Sequence, residues 1–128
     1  MTETETFRSR TEVLAALAKP VDPRHHRTRK QGGKTLTYLP WHTLVRCLHN
    51  RAPGYSWELK SVTQVGEWVT VTGRLTVQTA EGTLVYENVS SEPLNSNNHA
   101  PPVETAASSC LRRCCALAGL GLSLWEVD

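Results

Sequence analysis

Between Trp68 and Thr79 the residues alternate, with Val69, Val71, Gly73, Leu75 and Val77 in one set and Thr70, Thr72, Arg74, Thr76 and Gln78 in the other. A period of two sustained over this length predicts a strand with one buried face and one wet face. Such a strand needs neighbours and a cover on its apolar side. Trp57–Gln64 supplies a preceding strand through a turn at Val65-Gly66-Glu67, and Ala80-Glu81-Gly82 leads into a third over Thr83–Val89. The expected centre of the fold is therefore an antiparallel meander.

Helical patterns flank it. Ser9 and Glu12 have capping-box spacing, and Val13, Leu14 and Leu17 place an apolar stripe on a short helix that ends before Pro20. Pro20–Gly33 reads as a basic loop ending in a flexible Gln31-Gly32-Gly33, and Thr35–Leu39 as a short strand. Pro40 suits the first turn of a helix whose buried stripe is Trp41, Leu44, Val45 and Leu48, with His42, Arg46, His49 and Asn50 opposite. Pro53-Gly54 stops it. Ser90–Pro102 reads as a polar loop containing Asn95, Asn97, Asn98 and His99. The last helix, about Val103–Ala118, ends at Gly119 and groups Val103, Ala107, Cys110, Cys114 and Leu117 on its apolar face. Arg112 points away from that face, and Arg113 lies on a flank beside the small residues Thr105, Ser109 and Ala116. The expected fold class is α+β, an antiparallel three-to-four-stranded sheet or hairpin packed on a C-terminal helix, a β-β-β-α core. The expected division is a disordered 1–8, a short helix and basic loop over 9–33, and a core domain over 34–128.

Composition narrows the function classes. The 128 residues, 39% apolar, suffice for one modest core. No apolar run reaches the roughly 18 residues that span a bilayer, and Met1–Arg10 lacks the hydrophobic segment of a secretory signal. Cys47, Cys110, Cys114 and Cys115 lie in apolar, helix-like contexts, which suggests reduced thiols in a cytoplasm. The formal net charge is only +2, yet Arg24, Arg27, Arg29, Lys30 and Lys34 fall within Pro23–Lys34, along with His25 and His26 and without an acid. That is a local anion-binding signature hidden by the average.

Catalytic chemistry finds little footing. Cys110 and Cys114 share a helix face, but no second pair completes a zinc set, so the cysteines are expected as core thiols and no metal is expected. No acid near His42 or His49 in sequence orients either, and the acids form no close pair for metal-assisted hydrolysis. Gly32-Gly33-Lys34 lacks the rest of a phosphate loop, so neither a nucleotide nor another cofactor is expected. The chain is expected not to be an enzyme. Binding of single-stranded nucleic acid needs a positive groove and stacking platforms. The candidate phosphate ligands are Arg24, Arg27, Arg29, Lys30, Lys34, Arg46, Arg74 and Arg113, and the candidate platforms are Trp41, Tyr55, Trp57 and Trp68.

Two stretches carry a family resemblance. One is Lys34-Thr-Leu-Thr-Tyr-Leu-Pro-Trp41 followed by Pro53-Gly-Tyr-Ser-Trp57. The other is Leu94-Asn-Ser-Asn-Asn-His-Ala100, then Cys110-Leu-Arg-Arg-Cys-Cys-Ala-Leu-Ala-Gly-Leu-Gly-Leu122 and Trp125. Over residues 34–126 these resemble the phage single-strand annealing proteins of the Sak group, related to the eukaryotic recombination mediator Rad-fifty-two. The resemblance implies a β-β-β-α core, oligomeric rings or filaments, and DNA in a groove between hairpin and helix. It places Arg113 where the family has a DNA-contacting basic residue, with Arg112 beside it. Pro40 stands for the usual serine, while Ala116 and Thr43 stand where eukaryotic relatives are basic.

The resulting expectation is a cytoplasmic protein of a bacterial or phage-infected cell. It binds single-stranded DNA without sequence preference and anneals complementary strands without ATP. Its expected DNA-binding set is Arg113, Arg112, Arg74, Arg46, Lys34, Lys30, Arg29, Arg27, Arg24 and Trp68. Expected partners are single-stranded DNA, further copies of the chain through Leu120, Leu122 and Trp125, and a partner exonuclease or single-strand-binding protein, with no membrane. The competing readings are an RNA-binding module and an inhibitor or other interaction protein whose basic arm grips an acidic surface.

Overall fold

A computed structural model describes residues 6–95 and 100–126. Asn97, Asn98 and His99 of the expected polar loop lie outside the described residues. The chain runs through helix α1 (Arg10–Ala18), a 3-10 turn (Pro23–His25), strands β1 (Arg27–Gln31) and β2 (Lys34–Tyr38), and helix α2 (Trp41–Arg51). Strands β3 (Ser56–Val65), β4 (Trp68–Thr79) and β5 (Gly82–Pro93) follow, then helix α3 (Pro102–Leu117) and a 3-10 turn (Leu122–Trp125). β3, β4 and β5 form an antiparallel sheet in that order, and β1 and β2 a separate antiparallel hairpin. The class is α+β, with the meander packed on the C-terminal helix.

The alternation in β4 sets the core. Val69, Val71, Leu75 and Val77 are buried beneath α3, which packs across β4 and β5. Gly73 is the closest approach in this layer. A Cβ there would run into the Trp57 ring and come within 3.0 Å of Cys110 Sγ, so glycine lets the Trp57 ring and α3 settle onto the same point of the sheet. The buried face of α3 is Ala106, Cys110, Leu111, Cys114 and Cys115, while Val103 and Leu117 are exposed. The face is turned from the expected one because Ala106, Cys110 and Cys114, together with Leu111, are the residues buried on the helix. Val103 and Leu117 are corrected accordingly.

β5 continues to Pro93, so the expected loop start at Ser90 is also corrected. The long β4 offers partners as far as Trp68, and Ser90, Ser91 and Glu92 pair with Val71, Thr70 and Val69. In α2 the buried residues are Leu44 and Leu48. Trp41, expected in the same stripe, is 55% exposed.

α1 is capped by Ser9, whose side chain accepts from the Glu12 amide. Its C-terminal carbonyls receive Arg51, which donates to Lys19 O at 2.6 Å and Leu17 O at 3.4 Å. The segment before α1 is tied down as well. Arg8 donates to Arg51 O, its own carbonyl accepts from Ala80 N, and Phe7 lies against Gly54. Of the segment 1–8, residues 1–5 lie outside the described residues.

Candidate nucleic-acid interface

The stretch expected as a basic loop is instead one arm of a hairpin. Gly32 and Gly33 have φ of 58° and 79°, the left-handed pair that a two-residue turn between antiparallel strands requires. The turn brings Arg29 opposite Leu36 and Arg27 opposite Tyr38. Opposed residues share a face, so Arg27, Arg29, Lys34, Leu36 and Tyr38 lie on one side, and Thr28, Lys30, Thr35 and Thr37 on the other. The alternation sorts the basic cluster: most of it is gathered on one surface, with Lys30 sent to the opposite one.

That surface meets α3. The Arg29 guanidinium lies 5.7 Å and that of Arg112 5.2 Å from the centre of the Tyr38 ring, so two arginines from distant parts of the chain contact one aromatic. Arg113 makes the equivalent contact with Trp125 at 5.4 Å. Two clefts meet at Arg29, Tyr38 and Arg112. One, of about 260 Å³, runs toward Leu124 and Trp125; the other, of about 630 Å³ and more open, runs past Trp41 and His42 to Thr105 and Ser108. Together they make a continuous groove between the hairpin, the start of α2 and α3.

The electrostatics mark the meeting point. Burial pushes the Arg112 guanidinium below its ordinary value and the positive charge of Arg29 acts the same way; Tyr38 opposes them, and Arg113, which lowers, and Glu92, which raises, contribute less. Arg112 remains charged at any physiological pH, a partly buried cation beside the Arg29 guanidinium. A helix position expected to point into solvent is half-buried because Tyr38 covers it.

The other candidate residues are distributed unevenly. Lys34 and Arg27 are on the groove-side face of the hairpin, and Arg27 also donates to His26 O. Arg24 is exposed and paired with Asp22 at 3.4 Å, and Arg46 is exposed on α2. Arg74 lies on the open face of the sheet, opposite α3, paired with Glu87 at 3.1 Å. Trp68 is half-exposed at the turn end of β4, in register with Arg74's face. Of the expected platforms, Tyr55 and Trp57 pack against the core, and Trp41 borders the wider cleft. Leu120, expected at an outer surface, is 1% exposed and belongs to the core; Leu122 and Trp125 remain exposed. Tyr38, Ser109 and Trp125 as groove residues were not legible singly. The available signal was Gly-Gly between two short alternating segments, which reads as a hairpin turn.

The thiols are structural. Cys114 donates to Gly73 O and Cys110 to Asn88 O across the helix–sheet layer. The hydrogen bond with Cys110 and burial raise the Cys114 thiol, and burial pushes Cys115 up to about 12. Cys114 and Cys115 therefore stay protonated, while the same hydrogen bond with Cys114 lowers the Cys110 thiol. Among the described residues no three His, Cys, Asp or Glu side chains gather to hold a metal ion, and no helix is long and apolar enough to cross a membrane.

No family model matches the chain. Its sequence is 34% identical over 119 residues to "DNA repair RAD52-like protein 1, mitochondrial" of Arabidopsis thaliana, covering 91% of this chain and 68% of the relative. The chain belongs to the RAD52-like family. A second RAD52-like relative, "DNA repair RAD52-like protein 2, chloroplastic" from the same plant, is 29% identical over 120 residues, 90% of this chain and 60% of that protein. The first match leaves about a dozen of the 128 residues outside it, so Arg29, Tyr38 and Arg112 all fall within the RAD52-like span.

Proposed function

We propose that this RAD52-like chain acts in DNA recombination and repair by binding single-stranded DNA without sequence preference and annealing complementary strands. The observation that carries the reading is the meeting of Arg29, Tyr38 and Arg112 where two clefts join between the hairpin and α3. Like charges held together beside aromatic faces suit a phosphate backbone with unstacked bases. Family membership and the DNA-repair names of the two relatives support the same assignment.

In this reading Arg29, Arg112, Arg113 and Lys34 hold phosphates while most bases stay accessible to a second strand. Pairing and stacking supply the free energy, so no nucleotide is hydrolysed and the protein has no catalytic residue. Each groove holds a short stretch of strand, so annealing calls for several copies acting together, which multiplies weak contacts. Leu59, Val62 and Val65 on edge strand β3 are exposed and supply an apolar margin for such association. A partner exonuclease or single-strand-binding protein would deliver the strands. The closer likeness to phage annealers of the Sak group rests on the closing-helix motif, Cys110–Leu122. The free cysteines suit a reducing compartment such as the cytoplasm.

The test is oligo-dT binding across a salt series, with strand annealing measured with and without ATP and magnesium and a mass measurement alongside. The expected result is an affinity that falls by about 0.7 log units per phosphate contact for each log unit of salt. Annealing should proceed without ATP, by a multimer. Salt-independent binding, or tighter binding to RNA of the same length in competition, would overturn the proposal.

A further inference from the structure

The narrower cleft has a different character from the rest of the groove. Leu39, Leu44 and Leu120, all buried in the core, close its inner end, and Leu36 and Leu124 form its walls. Trp125 stands at its side, and the Ser109 hydroxyl supplies a polar wall position. Its mouth is framed by Arg29, Tyr38 and Arg112. Gly121 lines it too; its φ of 74°, and the 3.1 Å that would separate a Cβ from Leu39 Cδ1, disfavour a side chain at that point of the wall. The result is an apolar recess under a cationic rim.

Size and charge select the occupant. Clefts that take a drug-sized ligand run to about 300–1,000 Å³, so about 260 Å³ suits a single ring system. A free ring would meet the two guanidinium groups at the entrance through cation–π contact alone. A ring carried on a polyanion would add ion pairs, because its flanking phosphates could rest on the rim as the ring entered. We propose that this cleft takes one unpaired nucleobase of the bound strand, stacked beside Trp125 under the Arg29–Tyr38–Arg112 rim. The inference rests on the DNA-binding reading and adds to it: each copy of the protein withdraws one base from pairing and leaves its neighbours outside. Such capture would anchor the strand against sliding and fix the spacing of the exposed bases.

The experiment compares the full chain's affinity for oligo-dT with that for an oligomer of the same length and phosphate number built from abasic residues. It uses wild type and Ser109→Met, whose longer side chain fills the recess. Wild type should bind the abasic oligomer about tenfold more weakly, with the same salt slope. Ser109→Met should lose that discrimination, binding oligo-dT at the abasic level with a thermal midpoint close to wild type. A 2-aminopurine base walked along the strand on wild-type protein should show a distinct fluorescence change at a regular interval, which needs no variant. Equal wild-type affinity for the two oligomers overturns the base pocket and leaves DNA binding standing; the recess would then suit an aromatic side chain of a protein partner. Discrimination retained by a folded Ser109→Met, or uniform 2-aminopurine fluorescence along the strand, also overturns it. Failure of both oligomers to bind at low salt removes the DNA-binding reading itself.

Discussion

Arg112 and Arg74 carry the same charge on opposite sides of one molecule, in surroundings that differ in kind. On the open face of the sheet Arg74 sits directly across the strand from Glu87, paired at 3.1 Å, with threonines along its own strand. In the groove Arg112 shares an aromatic ring with Arg29, and burial first, then the Arg29 charge, push its guanidinium down. The first site is already neutralised by its partner; the second, in the proposed function, is the one that receives the phosphate. Binding capacity therefore follows the neighbours of an arginine and cannot be counted from arginines alone, which is why a net charge of +2 says so little here.

The sharpest test of this contrast removes both groove arginines. Charged hydrogen bonds contribute about 1.5–3 kcal/mol each, so Arg29→Ala with Arg112→Ala should weaken oligo-dT binding by two orders of magnitude or more. Fluorescence anisotropy at fixed salt would measure it, and a loss below tenfold would break the contrast. Next in size is an effect on the shared core. Burial lifts Cys115 from the ordinary 9.0 to about 12, so the folded state keeps a proton that the unfolded chain releases. That stabilisation is complete below pH 9 and is lost as pH rises from 9 toward 12, by about 1.4 kcal/mol per unit. Urea unfolding across this range should show the decline, and Cys115→Ala should flatten part of it. Alkali should abolish groove and sheet together, whereas salt should abolish binding alone.

A smaller effect is expected at the hairpin turn. Gly33→Val places a branched side chain at φ 79°, at a cost of about 1–2 kcal/mol. Annealing should fall about tenfold while the thermal midpoint of the sheet holds, and unchanged annealing would free the groove from the hairpin. The smallest change belongs to Arg74→Ala. An exposed pair contributes about 0–1 kcal/mol, so binding should stay within about twofold of wild type in the same anisotropy assay.

Much of the fold could be read from the chain because periodicity and capping are local. The alternation in β4 and the Ser9 cap of α1 both describe short windows whose meaning does not depend on distant contacts. The misread features depended on partners. Ser90–Pro93 looks like loop by composition and becomes strand because β4 extends beside it. The face of α3 was misplaced because Val103 and Leu117 drew the apparent stripe away from Ala106 and Leu111, which are buried on the helix. The groove lay furthest from view. Arg112 meets Tyr38 only once the hairpin lies beside α3, a contact between distant parts of the chain that no local window contains.

That turn acts as a parity device. Side chains alternate across a strand, so a shift of the pairing by one residue exchanges the two faces of the hairpin. In such a shift Lys30 would replace Arg29 as the groove-facing charge, and Tyr38 would lose one of its two guanidinium contacts. Insertions and deletions near Gly32-Gly33 should accordingly be tolerated in twos and penalised singly, so that the evolutionary freedom of this basic arm is quantised by the pleat of the strand that carries it.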